Sequence, residues 1–167
     1  MTGFTQKYTI VQLLEPVAEG TIYKPADWPL HVTLTDIFAI DWDEEILLQN
    51  CIQESQKLQT VSTTAAEDVW FGDEKNVQVT LLEKNEAITK LHLELVSFLE
   101  KGNVRFNVPE FVGNDFKPHV TVQKDKRLHK GDGVIINTLT VIDMFPDGDP
   151  YLRKILKTIP IATSEHK

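Results

Sequence analysis

One cysteine, Cys51, stands alone among 167 residues, so no internal disulfide is possible. Long hydrophobic runs are missing too. No stretch approaches the roughly 20 apolar residues needed to cross a bilayer as a helix. The opening residues, Met1-Thr2-Gly3-Phe4-Thr5-Gln6-Lys7, lack the basic-then-apolar order of a signal peptide. No glycine-rich Walker loop is present, which excludes that route to ATP. Neither His-x-His nor His-Glu-x-x-His occurs, so the usual zinc spacings are missing. Positive charge is scarce, with 17 Lys and Arg against 25 Asp and Glu and a net charge of −8. A surface this acidic is unsuited to wrapping a long duplex, which demands many phosphate contacts. It leaves room for a small phosphate ester held in a locally basic pocket. The expectation is a cytoplasmic, monomeric protein with no membrane partner, no cofactor and no metal.

What is present is an ordinary globular composition, 41% hydrophobic and 25% charged, enough for one domain spanning residues 1–167. Residues Lys7 to Leu14 read as a strand, broken by Glu15-Pro16 and Gly20, with Thr21 to Tyr23 as a short strand or bend. A strand is expected from about His31 to Ile40. Asp41 or Asp43 caps a helix whose apolar side holds Ile46, Leu47, Cys51, Ile52, Ser55 and Leu58. Cys51 is expected in the core. Thr60 to Phe71, interrupted near Ala65-Ala66, and Val77 to Leu82 form a hairpin. Trp70 and Phe71 within it belong either to the core or to a base-stacking surface. Asn85 caps a second helix, Glu86 to Lys101, closed by Gly102. Its stripe is Ala87, Ile88, Leu91, Leu95, Phe98 and Leu99. His92 lies one place off the stripe and reads as a surface or boundary histidine with no catalytic role. Strands are expected at Val104 to Val112, Val134 to Phe145 and Tyr151 to Ile159. His166, in the tail, is expected to be inert.

The chain repeats one short phrase. Trp28-Pro29-Leu30-His31-Val32-Thr33-Leu34 returns as Phe116-Lys117-Pro118-His119-Val120-Thr121-Val122. Each has an aromatic, a proline, then His-Val-Thr and an aliphatic residue. Strand side chains alternate between faces, so His31 shares a face with Thr33 and Thr35, and His119 with Thr121 and Gln123. Val32, Leu34, Val120 and Val122 take the opposite, buried faces. An imidazole titrates near neutral pH and moves protons. A threonine hydroxyl two residues on can donate to a non-bridging phosphate oxygen. Two such sets can take a proton from an attacking group and give one to a leaving oxygen.

The paired His-x-Thr motifs resemble those of the two-histidine phosphoesterases, among them 2′-5′ RNA ligase-like proteins and cyclic nucleotide phosphodiesterases. His31-Val32-Thr33-Leu34-Thr35-Asp36-Ile37-Phe38 is similar to the first motif of that superfamily, with its aromatic, Phe38, two places late. His119-Val120-Thr121-Val122 fits the second. The resemblance implies an α+β fold of two pseudo-symmetric lobes of antiparallel sheet with outer helices, and a central cleft taking one motif from each lobe. It implies a metal-independent phosphodiesterase for 2′,3′-cyclic phosphates or 2′-5′-linked nucleotides, with reversible ligation within reach of the same chemistry. His31 and His119 are then the acid–base pair, and Thr33 and Thr121 the phosphate donors. The partner is a small nucleotide or an RNA end.

Alternatives remain at this level. The cleft can instead bind a nucleotide or RNA end without chemistry, or His31, His119 and an acid such as Asp36 can hold a metal. The sequence does not say which histidine is the base. The basic run Lys124 to Gly133 is either a solvated loop or an overhang that attracts phosphate. In the second case Lys124, Lys126, Arg127 and His129 are the candidates.

Overall fold

The computed structural model describes residues 6–72, 74–109, 112–113, 116–123 and 126–162. Among these residues ten strands form one sheet, in the order β2-β10-β9-β1-β3-β7-β5-β4-β8, with β6 on the edge of β3. In chain order they are β1 (Tyr8–Leu13), β2 (Ile22–Tyr23), β3 (His31–Ala39), β4 (Val61–Phe71), β5 (Val77–Leu82), β6 (Arg105–Phe106), β7 (His119–Thr121), β8 (Gly133–Ile136), β9 (Thr138–Asp143) and β10 (Arg153–Pro160). Helix α1 (Glu44–Ser55) follows β3, and α2 (Glu86–Glu100) follows β5. The class is α+β with a large antiparallel sheet, as expected. The two sheets anticipated from sequence are continuous, joined where Val32 of β3 faces Val120 of β7. Among the described residues no helix is long and apolar enough to cross a membrane.

Both helices start as their sequences dictate. The Asp43 carboxylate accepts from Ile46 N at 2.9 Å, and the Asn85 amide oxygen accepts from Ile88 N at 2.8 Å. Ile88, Leu91, Leu95, Phe98 and Leu99 of α2 are buried against the sheet. Helix α1 buries a narrower stripe, Leu47, Cys51 and Ser55, spaced four apart. Ile46 and Ile52, expected on that side, flank the stripe and stay exposed. Cys51 is a core residue, and burial pushes its thiol up to about 12.

Gly102 ends α2, but not by adopting a left-handed turn. A Cβ there would lie 2.7 Å from the Trp42 indole, and the positive φ of 60° falls one residue later, at Asn103. The long strand expected from Val134 divides at Asn137, because the backbone N–H groups of Asn137 and Thr138 both donate to Oε1 of Gln12. Its first part pairs with β4 and its second with β1 and β10. Of the strand expected at 104–112, whose residues 110 and 111 lie outside the described ones, only Arg105–Phe106 pairs among the described residues, with Ala39 and Phe38. Beyond it Val108 N is diverted to the Asp36 carboxylate. The hairpin of β4 and β5 carries its irregularity between Ala65 and Asp68, as the sequence suggested.

The helices and the main core lie on one face of the sheet. A smaller apolar cluster, Val11, Ile142, Met144 and Ile155 with Tyr23, Trp28 and Phe145 beside it, contains no helical residue and covers part of the other face. The polar side of β3 looks out beside that cluster.

Candidate active site

Val32 and Val120 are fully buried, whereas His31, Thr33, His119 and Thr121 are each partly exposed. The expected alternation holds from His31 to Leu34 and from His119 to Thr121. Thr35, expected on the face of His31 and Thr33, is instead fully buried, because the β1–β3 register slips by one residue between Thr33 and Thr35. Val122 is only half-buried. Extending the Val32–Val120 register by one residue each way sets His31 opposite Thr121 and Thr33 opposite His119. Directly opposed side chains have Cβ atoms about 4.5–5.5 Å apart, and diagonal ones about 7–8 Å. The two histidines are diagonal neighbours, and so are the two threonines. The four residues predicted from the motifs thus share one patch of one face.

Each imidazole is held the same way. Nδ1 of His31 lies 2.8 Å from the carbonyl of Pro29, and Nδ1 of His119 lies 2.8 Å from the carbonyl of Lys117. A carbonyl only accepts, so Nδ1 carries the hydrogen in both rings. Nε2 of each neutral ring keeps its lone pair and is the atom left to exchange protons.

Burial lowers both imidazoles below the ordinary histidine value, each partly offset by its carbonyl bond. The charge of His119 lowers His31 further, which reflects their proximity. Part of the apolar cluster packs directly on His31. The Trp28 ring lies over it, centroids 4.4 Å apart at 31°, and packs in turn edge-on against Tyr23. His119 meets the edge-on ring of Phe71 at 4.8 Å.

Phe71 and Trp70 therefore have separate fates. Phe71 reaches the second motif histidine, while Trp70 points to the opposite face and is 55% exposed. The aromatic residues of the repeated phrase diverge as well. Trp28 stacks on His31, but Phe116 turns away and stacks on His92. His92 is a correction to the surface reading, since it is 2% exposed and bonded at both nitrogens.

The basic loop is only partly at the site. Nζ of Lys126 bonds Oε2 of Glu15 at 2.7 Å, and that same oxygen accepts from Leu30 N, beside His31. Lys126 thereby ties the loop after the second motif to the segment before the first. Arg127 instead forks onto the Asp68 carboxylate of β4 at 2.6 and 2.8 Å. Exposed His129 bonds through its backbone N–H to Asp132. Lys124 lies outside the described residues. Glu15 was missed by sequence reasoning because its partners are 15 and 111 residues distant. Among the described residues no three His, Cys, Asp or Glu side chains gather as a metal-binding cluster.

Sequence comparison finds no matching family model and no matching curated relative. Solved structures do match along almost the whole chain. The TT0787 protein of Thermus thermophilus shares 12% identity at a TM-score of 0.59, over 95% of this chain and 100% of that one. A phosphoesterase shares 14% identity at 0.61, over 93% and 98%. LigT of E. coli, crystallised with 3′-AMP, shares 13% identity at 0.55, over 93% and 98%. At these identities the likeness establishes a shared fold, and the resemblance carried by the two motifs holds at that level.

Proposed function

We propose that the chain is a metal-independent phosphodiesterase acting on 2′,3′-cyclic phosphates or 2′-5′-linked nucleotides. His31 and His119 are its acid–base pair, and Thr33 and Thr121 its phosphate donors. In this reading two pseudo-symmetric lobes each contribute one His-x-Thr to a central groove. The observation that carries it is the Val32–Val120 register, which sets two Nδ1-protonated imidazoles and two hydroxyls on one face. The shared fold with a phosphoesterase, and with LigT in complexes with NADP+ and 3′-AMP, supports a nucleotide substrate.

The chemistry follows from the tautomers. One neutral Nε2 takes a proton from water as its oxygen attacks phosphorus. The other imidazole, protonated, gives its Nε2 hydrogen to the ribose 3′-oxygen as the P–O3′ bond breaks. The product is the 2′-monophosphate, and the pair ends with its proton moved from one ring to the other. Positioned proton transfer contributes roughly 100- to 10,000-fold per group. The threonine hydroxyls donate to the non-bridging oxygens as their charge grows. The same ring opening with a ribose 5′-hydroxyl in place of water forms the P–O5′ bond as P–O3′ breaks and gives a 2′-5′ linkage; its reversal cleaves that linkage. Among the described basic candidates Lys126 is the one near the first motif, and it serves phosphate by leaving Glu15.

The test is incubation with chelator and a panel of nucleoside 2′,3′-cyclic phosphates, followed by phosphorus NMR. Formation of the 2′-monophosphate alone is expected. Tight binding of nucleoside monophosphates with no turnover of any ester would instead favour a binding protein without chemistry.

A further inference from the structure

The two motif strands are bonded to each other over very little length, and a buried histidine outside both motifs spans the parts they hang from. Along β1 and β3 the register slips between the pairs Val11–Thr33 and Ile10–Thr35. Leu34, just after the first motif threonine, is the extra residue of that bulge, and a bulge leaves its extra residue out of the ladder. Its carbonyl accepts from Nδ1 of His92 on α2 at 2.8 Å. Nε2 of the same ring accepts from Gly113 N at 3.0 Å. Gly113 is also bonded to the second motif's aromatic residue, with Phe116 N donating to Gly113 O at 3.0 Å. Phe116 also stacks flat on the imidazole, 3.9 Å between centroids at 4°. Three residues later comes His119.

We propose that His92 is a positioning residue that holds the bulge after Thr33 in one fixed relation to Gly113 and Phe116, which lead into His119. It acts through Leu34, Gly113 and Phe116 and touches no reacting atom. A packing role needs only a flat ring at this place. Here both ring nitrogens are also spent, one on each motif segment, and the donor–acceptor order fixes the Nδ1–H tautomer. Small displacements matter at such a site, because misplacing reacting groups by about 1 Å can cost about 100-fold. The kinetic part of this inference rests on the phosphodiesterase reading above.

The variants separate packing from bonding. His92→Phe keeps a ring for Phe116 but makes neither bond. His92→Asn offers an amide N–H to Leu34 and nothing that reaches Gly113. The measurements are kcat and KM on nucleoside 2′,3′-cyclic phosphates, and NMR titration of the imidazoles of His31 and His119. For folded His92→Phe, kcat is expected to fall about tenfold or more with KM changed less than about threefold, and His92→Asn to recover part of kcat. The titrations of His31 and His119 are expected to move toward the ordinary value as their segments loosen. Folded His92→Phe with kcat within about twofold of the parent and unmoved titrations would overturn the proposal. Should His92→Phe not fold, His92→Asn is read by the same two criteria. The titrations decide even if no substrate turns over, which keeps this proposal distinct from the reading it rests on.

Discussion

Val32 faces Val120 across the junction of β3 and β7, and this contact sets the register of everything on the other side of the sheet. The pair itself is buried and inert. On each strand the valine is preceded by a histidine and followed by a threonine. Antiparallel pairing about that point makes the patch locally two-fold, so each imidazole has a hydroxyl across from it.

The pH profile follows from the lowered imidazoles. In the proposed mechanism the pair of imidazoles holds one proton. Above its upper pKa the acid is lost, and below its lower pKa the base is lost. Burial sets His31 and His119 below the ordinary histidine value, and their mutual charge spreads the two steps apart. The kcat/KM profile of the free enzyme is therefore expected to be bell-shaped on the acid side of about 6.5, falling about tenfold per pH unit above its upper limb. Activity that climbs steadily to pH 8 would exclude this pair as acid and base.

Stability should fall on acidification for the same reason. His31, His92 and His119 all sit below their unfolded value. Below about 6.5 the unfolded chain binds protons that the folded chain refuses, so the free energy of unfolding declines as pH falls. Urea unfolding at pH 7 and pH 5.5 measures this. The slope should shrink in His92→Asn, which removes one of the three.

Trp28 shields His31 and lies over its ring. Trp28→Ala admits water, and the loss of desolvation should outweigh the loss of the indole face, worth only about 0.5–2 kcal/mol to a cation. The His31 titration should rise toward the ordinary value, with kcat/KM down about tenfold. NMR titration of His31 in the variant checks the sign.

Gly102 admits no side chain. In Gly102→Ala the new Cβ meets Trp42 at 2.7 Å. The indole or the helix end must shift, at a cost of roughly 1–3 kcal/mol. Lys126→Met, by contrast, removes an exposed ion pair worth about 0–1 kcal/mol and should barely move the denaturation midpoint. Its effect belongs in KM. Comparing both variants in denaturant titrations tests this ordering.

Much of this was legible in the sequence. The repeated His-Val-Thr phrase located the patch, because period-two alternation around a buried valine has one outcome in a strand. The cap of α2 was readable from Asn85, and that of α1 was narrowed to Asp41 or Asp43, of which Asp43 caps. What was hidden depends on contacts between distant residues. His92 looked peripheral because a helical stripe counts apolar residues, whereas the bulge carbonyl of Leu34 and the N–H of Gly113 gave a polar ring two buried partners. The break at Asn137 was hidden because its cause is a glutamine 125 residues away. Phe71 and Trp70, adjacent and chemically alike, were separated by strand alternation once the face of β4 was known.

The most direct measurement is a double-mutant cycle on the two histidines. Turnover of a nucleoside 2′,3′-cyclic phosphate is compared in the parent, His31→Asn, His119→Asn and the double variant, each checked for cooperative unfolding. Each single change should lower kcat by roughly 100-fold or more, and the double change should add little, because either loss disables the shared proton transfer. Near-parental turnover in either folded single variant would contradict a two-histidine mechanism.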